Sequence, residues 1–232
     1  MVPLLRRLGH LANLTPDEID QVRELAPSRK RARAGTLLLA EGRAGAHFVL
    51  SGWACSQRVL RDGRRQIFDF VLPGEGYGFG PPGDRLAHQT VIAVTSVETV
   101  DASALVGAAR EASPTGLWRA IRATVLEQDV RRSDHMVRLG RLTAYEKVVH
   151  FILEMQRRSG ALEARSFPLP LTQEAIADAL GLSVVHLNRV LRQLRGENLV
   201  ELRRGMALML NAKGLAAVSV LAVGDEGAMV GR

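Results

Sequence analysis

The sequence predicts an α+β chain in three stretches: an all-β sandwich or barrel, one long helix, and a compact helical segment ending in a β-hairpin. Three observations carry this. Short apolar runs between Arg29 and Val100 alternate with glycine-bearing breaks at Gly35, Gly42, Gly52, Gly63 and Gly74, as in a set of short strands. Residues 115–139 hold no proline and no glycine beyond Gly116, so they can run as a single long helix. Residues 171–195 set two short helical periodicities on either side of Gly181, the spacing of two helices joined by a tight turn.

Composition removes several classes of function. The 232 residues are 47% hydrophobic, 24% charged and 4% aromatic, ordinary for a folded protein of one large or two small domains. No apolar run approaches the roughly 18–20 residues that span a bilayer. The first seven residues lack the apolar core and cleavage site expected of a signal peptide. A single cysteine, Cys55, excludes an intrachain disulfide, a Cys-rich zinc site and a four-cysteine iron–sulfur cluster. The expectation is a cytoplasmic protein with no membrane partner. The net charge of +7 favours an acidic partner.

In chain order, Thr15 caps a short helix over 15–26, with Pro16 at its first position and Ile19, Val22 and Leu25 as its stripe. Strand-like runs follow at 36–40, 47–50, 57–60, 66–72, 91–94 and 98–100. Asp62-Gly63 predicts a hairpin with a type I′ turn, in which both central residues have positive φ. Residues 73–84 carry too much glycine and proline for a strand and read as a loop. The basic run Arg29-Lys30-Arg31-Arg33 reads as a solvated face before the first strand. On the long helix, Leu117, Ile121, Val125 and Leu126 recur until Arg131, Arg132, Ser133, Asp134 and His135 interrupt them. A mixed stripe of this kind suits a seam against a partner helix, with Arg131-Arg132 as a charged face beside it. A further helix runs from about Thr143 to Arg158, with Val148, Ile152 and Met155 inward.

The segment 171–195 carries the chemistry. Thr172 caps a helix whose inner face is Ile176, Ala179 and Leu180, and Gly181 supplies the positive φ that ends it. Ser183 caps the next, with Leu187, Val190, Leu191 and Leu194 buried. Its outer face then holds Val184, Val185, Asn188, Arg189 and Arg192. A helix in the major groove offers such side chains to base edges: Arg to guanine, Asn to adenine, an apolar methyl to the thymine methyl. Gln173 and His186 are placed for phosphates, beside the caps Thr172 and Ser183. A hairpin over 199–210 with Arg203, Arg204 and Gly205 at its tip then forms a basic wing. From Arg165 to Lys213 there are seven Arg or Lys and four Asp or Glu, a net of +3 where DNA would lie. A helical hairpin that only packs would not need that wing. No nucleophile–base pair, paired carboxylates or phosphate loop argues for an enzyme, and the six histidines have no metal-ligand spacing.

With these motifs in place, residues 14–221 resemble the Crp/Fnr family of bacterial transcription regulators. The resemblance rests on Ala34-Gly35-Thr36 with Glu41-Gly42, on Leu50-Ser51-Gly52, on Asp62-Gly63-Arg64-Arg65-Gln66, on Leu72-Pro73-Gly74-Glu75, and on the helix-turn-helix. It implies a jelly-roll-like β-roll sensor domain of the cyclic-nucleotide-binding type over 1–112, a dimerisation helix over 113–141 and a winged helix-turn-helix over 142–232. It further implies a homodimer on a pseudo-palindromic operator in double-stranded DNA, contact with RNA polymerase, and control by a small ligand in the roll. The family's base-reading positions fall on Val184, Val185 and Arg189. Valine where many members carry Arg or Glu implies an operator unlike that of the catabolite activator.

The effector is where the chain departs from the pattern. Gly74 and Glu75 match the Gly-Glu of the phosphate-binding cassette, but Ala87-His88-Gln89 stands where cyclic-AMP-binding members have Arg-Ser-Ala. The guanidinium that would hold a cyclic phosphate is out of register, with Arg85 two residues away. Arg132-Ser133 stands where the long helix of those members carries Thr-Ser. The implied pocket is Gly74, Glu75, Arg85, His88, Gln89, Arg132 and Ser133, and a cyclic nucleotide, another ligand or none remain open. A sensor whose winged helix makes protein contacts instead of reading DNA is the alternative.

Overall fold

Pro3 in the first turn and the spacing of Leu4, Leu8 and Leu11 make α1 (Val2–Leu11), an element the sequence reading passed over. The computed structural model describes residues 1–43, 45–79, 90–112 and 114–220. These fall into two units, Met1–Gly63 with Phe68–Arg132, and Arg64–Ile67 with Ser133–Arg232. In the first, α2 (Pro16–Arg23) starts in a capping box: Glu18 N donates to Thr15 Oγ1, and Thr15 N donates to Glu18 Oε2. A 3₁₀ turn leads into β1 (Arg29–Ala32), β2 (Leu37–Leu39), β3 (His47–Ser51), β4 (Ala54–Val59), β5 (Arg65–Val71), β6 (Gly76–Tyr77), β7 (Thr90–Ala93) and β8 (Val97–Asp101). Then come α3 (Ser103–Glu111), also passed over, and α4 (Gly116–Arg141).

The strands form two four-stranded sheets, β1-β8-β3-β6 and β2-β7-β4-β5. Val49 and Tyr77 from the first and Ala54, Val71 and Val91 from the second share one buried cluster, which closes the sheets over each other. Phe48, Leu50 and Val100 face the other way, into a cluster with Leu4, Leu8 and Leu11 of α1, Val106 of α3, and Leu117 and Ile121 of α4. The start of α4 is fastened by α2: the second carboxylate oxygen of Glu18 accepts from Leu117 N at 2.7 Å. Burial opposes ionisation of Glu18, but these backbone donors win and lower its pKa.

Several expectations need correction here. The basic run is no prelude to the first strand; Arg29–Ala32 is β1 itself, paired antiparallel with β8, and Glu98 lies 4.0 Å from both Arg29 and Arg31. At the β4–β5 hairpin only Gly63 has positive φ, so the turn is not type I′; Gly63 N bonds Leu60 O, with glycine as the last of four turn residues. Within the glycine-rich stretch, Gly76–Tyr77 still pair with β3 as strand β6. On α4, Leu126 is 52% exposed, while Arg131 is buried instead of lying on a charged outer face.

The second unit adds α5 (Ala144–Arg158), entered through a capping box between Thr143 and Glu146. It continues with β9 (Ser166–Pro168), α6 (Gln173–Leu180), α7 (Val184–Gly196), β10 (Val200–Arg203), β11 (Met206–Met209) and α8 (Ala212–Ala217). Its sheet has the order β10-β11-β9. No helix among the described residues is long and apolar enough to cross a membrane.

Between the end of α4 and α5 lies a buried charged cluster. Arg138 Nη1 donates to Glu154 Oε2 at 2.6 Å and lies 3.2 Å from His150 Nδ1, while Arg138 Nη2 lies 3.2 Å from His135 Nδ1. Arg158 donates to the other Glu154 oxygen at 2.9 Å. Arginine can only donate, so His150 Nδ1 accepts and the ring is neutral with its proton on Nε2. Burial, then Arg138, pushes the His150 pKa down from 6.5 to about 4. The unfolded chain therefore takes up this proton first, and stability falls as pH drops from 6.5 towards 4. Urea unfolding at pH 7 and pH 5 should differ by about 2 kcal/mol from this group, less stable at pH 5. His150→Asn should remove that share of the difference.

Candidate nucleic-acid interface

Thr172 Oγ1 accepts from Ala175 N at 3.1 Å and starts α6; Gly181, at φ 61°, ends it in the left-handed region. Two residues after Gly181, Ser183 Oγ accepts from His186 N at 3.2 Å and starts α7. Ile176, Ala179 and Leu180 on α6 and Leu187, Val190 and Leu194 on α7 are buried, so the two helices turn one apolar face inward as expected. Leu191 is half-buried.

The opposite side of α7 is open. Val185 is 70% exposed and Val184 39%, and His186, Arg189 and Arg192 are exposed, with Asn188 half-buried. Arg192 Nε folds back on Asn188 O at 3.4 Å. Thr172 and Gln173 are exposed at the start of α6. Two exposed valines in the first turn of a helix gain nothing from water.

The wing is a two-residue type I′ hairpin. Arg203 and Met206 pair across it, and both central residues have positive φ, Arg204 at 50° and Gly205 at 73°. The predicted turn type thus occurs here and not at Asp62-Gly63. Leu169 N bonds Gly205 O at 2.8 Å and holds the tip against the chain before α6. Arginine in the left-handed region is strained by roughly 1 kcal/mol. Arg204→Gly should therefore raise the unfolding free energy by up to about 1 kcal/mol, read by urea titration, while weakening affinity for all DNA sequences alike.

Two carboxylates near the helical pair are engaged. Asp178 accepts from Nε and Nη2 of Arg65, at 2.7 and 2.6 Å, in the 64–67 stretch that groups with it. Glu197 accepts from Tyr145 Oη at 2.5 Å and from Gln193 at 2.8 Å, and the Tyr145 bond chiefly lowers its pKa. Burial, then Glu197, pushes the Tyr145 hydroxyl up to about 12. Among the described residues Arg189, Arg203 and Arg204 form no ion pair within the chain, so their charge faces solvent.

Of the implied effector pocket, Gly74, Glu75, Arg132 and Ser133 are described. Gly74 and Glu75 are buried, and Glu75 Oε2 accepts from Leu72 N at 2.9 Å, bracing its own turn. Arg85, His88 and Gln89 lie outside the described residues. Arg132 and Ser133 are exposed on α4, and Arg132 bonds Asp129 at 2.9 Å. Two polar α4 side chains do reach the roll: Gln128 donates to Gly76 O at 2.6 Å, and Arg131 Nε lies 3.3 Å from Asp69 Oδ2. Sequence reasoning missed both. The signal was the spacing of Thr124, Gln128, Arg131, His135 and Arg138, at intervals of four and three, hidden because a polar stripe reads as solvated.

Comparison with known proteins matches residues 146–218 to the Crp-like helix-turn-helix domain and residues 29–104 to the cyclic nucleotide-binding domain. The nitrogen fixation regulation protein FixK of Bradyrhizobium diazoefficiens is 33% identical over 174 residues, covering 74% of this chain and 72% of that protein. FixK of Azorhizobium caulinodans is 32% identical over 167 residues, 71% of this chain and 66% of its own length. The solved structure of FixK2 from Bradyrhizobium japonicum superposes with a TM-score of 0.72 at 30% identity, covering 84% of this chain and 98% of the other.

Proposed function

The chain belongs to the Crp/Fnr family of DNA-binding transcription regulators, and on that premise we propose a homodimer whose two α7 helices read the half-sites of a pseudo-palindromic operator. One observation carries the reading: Val184, Val185, Asn188 and Arg189 line the open side of a capped helix that is followed directly by a basic wing. In this reading Arg189 takes a guanine, Asn188 an adenine, and the two valines pack on thymine methyls. Thr172, Gln173, Ser183, His186, Arg192, Arg203 and Arg204 hold phosphates and set the register. The second copy pairs along α4, whose outer side offers Leu126, Val130, Ser133 and Val137 at intervals of four and three, three of them apolar and all exposed. The three segments, 1–112, 113–141 and 142–232, serve as sensor, dimer helix and reader.

The protein acts in the cytoplasm, meets RNA polymerase at the promoter and catalyses no reaction. A cyclic nucleotide is not its signal. That part rests on Ala87-His88-Gln89, which offers no arginine in register. The alternative, a winged helix kept for protein contacts, runs against relatives that are regulators of gene expression.

The test is selection of binding sites from a random DNA pool, followed by fluorescence anisotropy on the selected duplex and on random DNA. The expected site has two half-sites roughly 34–36 Å apart and binds at least 10³-fold tighter than random DNA. Cyclic AMP and cyclic GMP should leave both affinities unchanged. Equal affinity for selected and random DNA would overturn the reading.

A further inference from the structure

We infer that Gln128, Arg131 and Asp69 are positioning residues for DNA binding, fixing the rotation of α4 on the roll with the chain's own side chains. A helix normally turns an apolar stripe inward. On α4 the stripe changes character past Ile121: Thr124, Gln128, Arg131, His135 and Arg138 are all buried, at intervals of four and three. Thr124 bonds back to Ala120 O, Gln128 donates to Gly76 O at 2.6 Å, and Arg131 meets Asp69 at 3.3 Å. At the far end Arg138 meets Glu154.

Such pairs are a poor source of stability. A buried ion pair roughly repays its own desolvation, and apolar residues of equal volume often do as well or better. What directional partners do supply is register. An apolar stripe can slide by a turn or rotate by a fraction of one at small cost; a guanidinium facing one carboxylate and an amide facing one carbonyl cannot. The opposite side of the same helix carries the seam proposed for the second copy. Rotation of α4 therefore decides where Leu126, Val130 and Val137 point, and with them how far apart two reading helices stand. Resting on the homodimer reading above, the inference names what sets its geometry.

The test replaces the pair with apolar residues, Asp69→Leu with Arg131→Met, in the full-length protein. A merely structural pair predicts a similar melting temperature and unchanged binding. The positioning role predicts a melting temperature held or raised and unchanged affinity for random DNA. It also predicts at least a ten-fold loss on the selected two-half-site operator. The reciprocal exchange, Asp69→Arg with Arg131→Asp, should recover operator affinity to within about three-fold. If the apolar double variant fails to fold, Gln128→Leu carries the same criterion. A folded variant that binds operator like the parent overturns the inference. A parent that shows no operator preference instead overturns the homodimer reading and leaves this one with no function to serve.

Discussion

An Arg138→Ala variant should lose about 3–5 kcal/mol of stability, the largest effect expected of any single substitution in the second unit. The guanidinium is the shared donor to His135, His150 and Glu154, all buried. Burial on its own would raise the Glu154 carboxyl; Arg138 and then Arg158 overcome it and hold the group far below the usual carboxylate range. Removing Arg138 leaves that carboxylate with less than its charge needs, and two imidazoles lose a donor. Differential scanning calorimetry or urea titration at pH 7 would read the loss. A drop below 1 kcal/mol would mean that water or a neighbouring arginine takes over. Combining Arg138→Met with Glu154→Leu should recover only part of the loss, because it relieves the stranded carboxylate but takes from the buried Arg158 its bond to Glu154.

Arg189→Ala should abolish discrimination at a single base pair, at about 1–3 kcal/mol, a loss of roughly five- to 150-fold on the selected operator. Affinity for random DNA should change far less. The reason is geometric: Arg189 lies one turn beyond Val185 on the open side of α7, with no carboxylate among the described residues holding it. Substituting the selected half-site one base pair at a time would locate the lost contact, since the variant should be indifferent at one position only. Equal losses on operator and random DNA would assign Arg189 to phosphate instead.

The reading surface was legible because its signals are local. A cap at Thr172, a glycine at 181, a cap at Ser183 and the apolar spacing through Leu194 each act within a few residues, and the helices begin and end where those residues stand. The strands β3, β4, β5, β7 and β8 were legible for the same reason, while β6 was read as loop. What escaped depends on distant partners. The basic run became β1 because Val97–Val100 of β8 offered it a ladder, which propensity along the run does not reveal. Arg131 is inside because Asp69 awaits it, 62 residues earlier. At Arg131 charge was taken as a mark of solvent and tertiary pairing reversed it; Arg29, Lys30 and Arg31 stay exposed on β1, so there the solvated face stands and only the strand was missed. The turn at Asp62-Gly63 failed differently: one dipeptide serves two turn geometries, and only the backbone decides between them.

Glu18 has a consequence for the order in which the molecule assembles. Its carboxylate serves Thr15 three residues away and Leu117 ninety-nine residues away. The first bond forms with α2, early and locally; the second waits until the intervening strands have closed the loop between them. Thr115 Oγ1 accepts locally from Trp118 N, but Leu117 N gains its acceptor only from a finished roll. A nascent or damaged chain, with its roll open, would lack this tether on the start of α4.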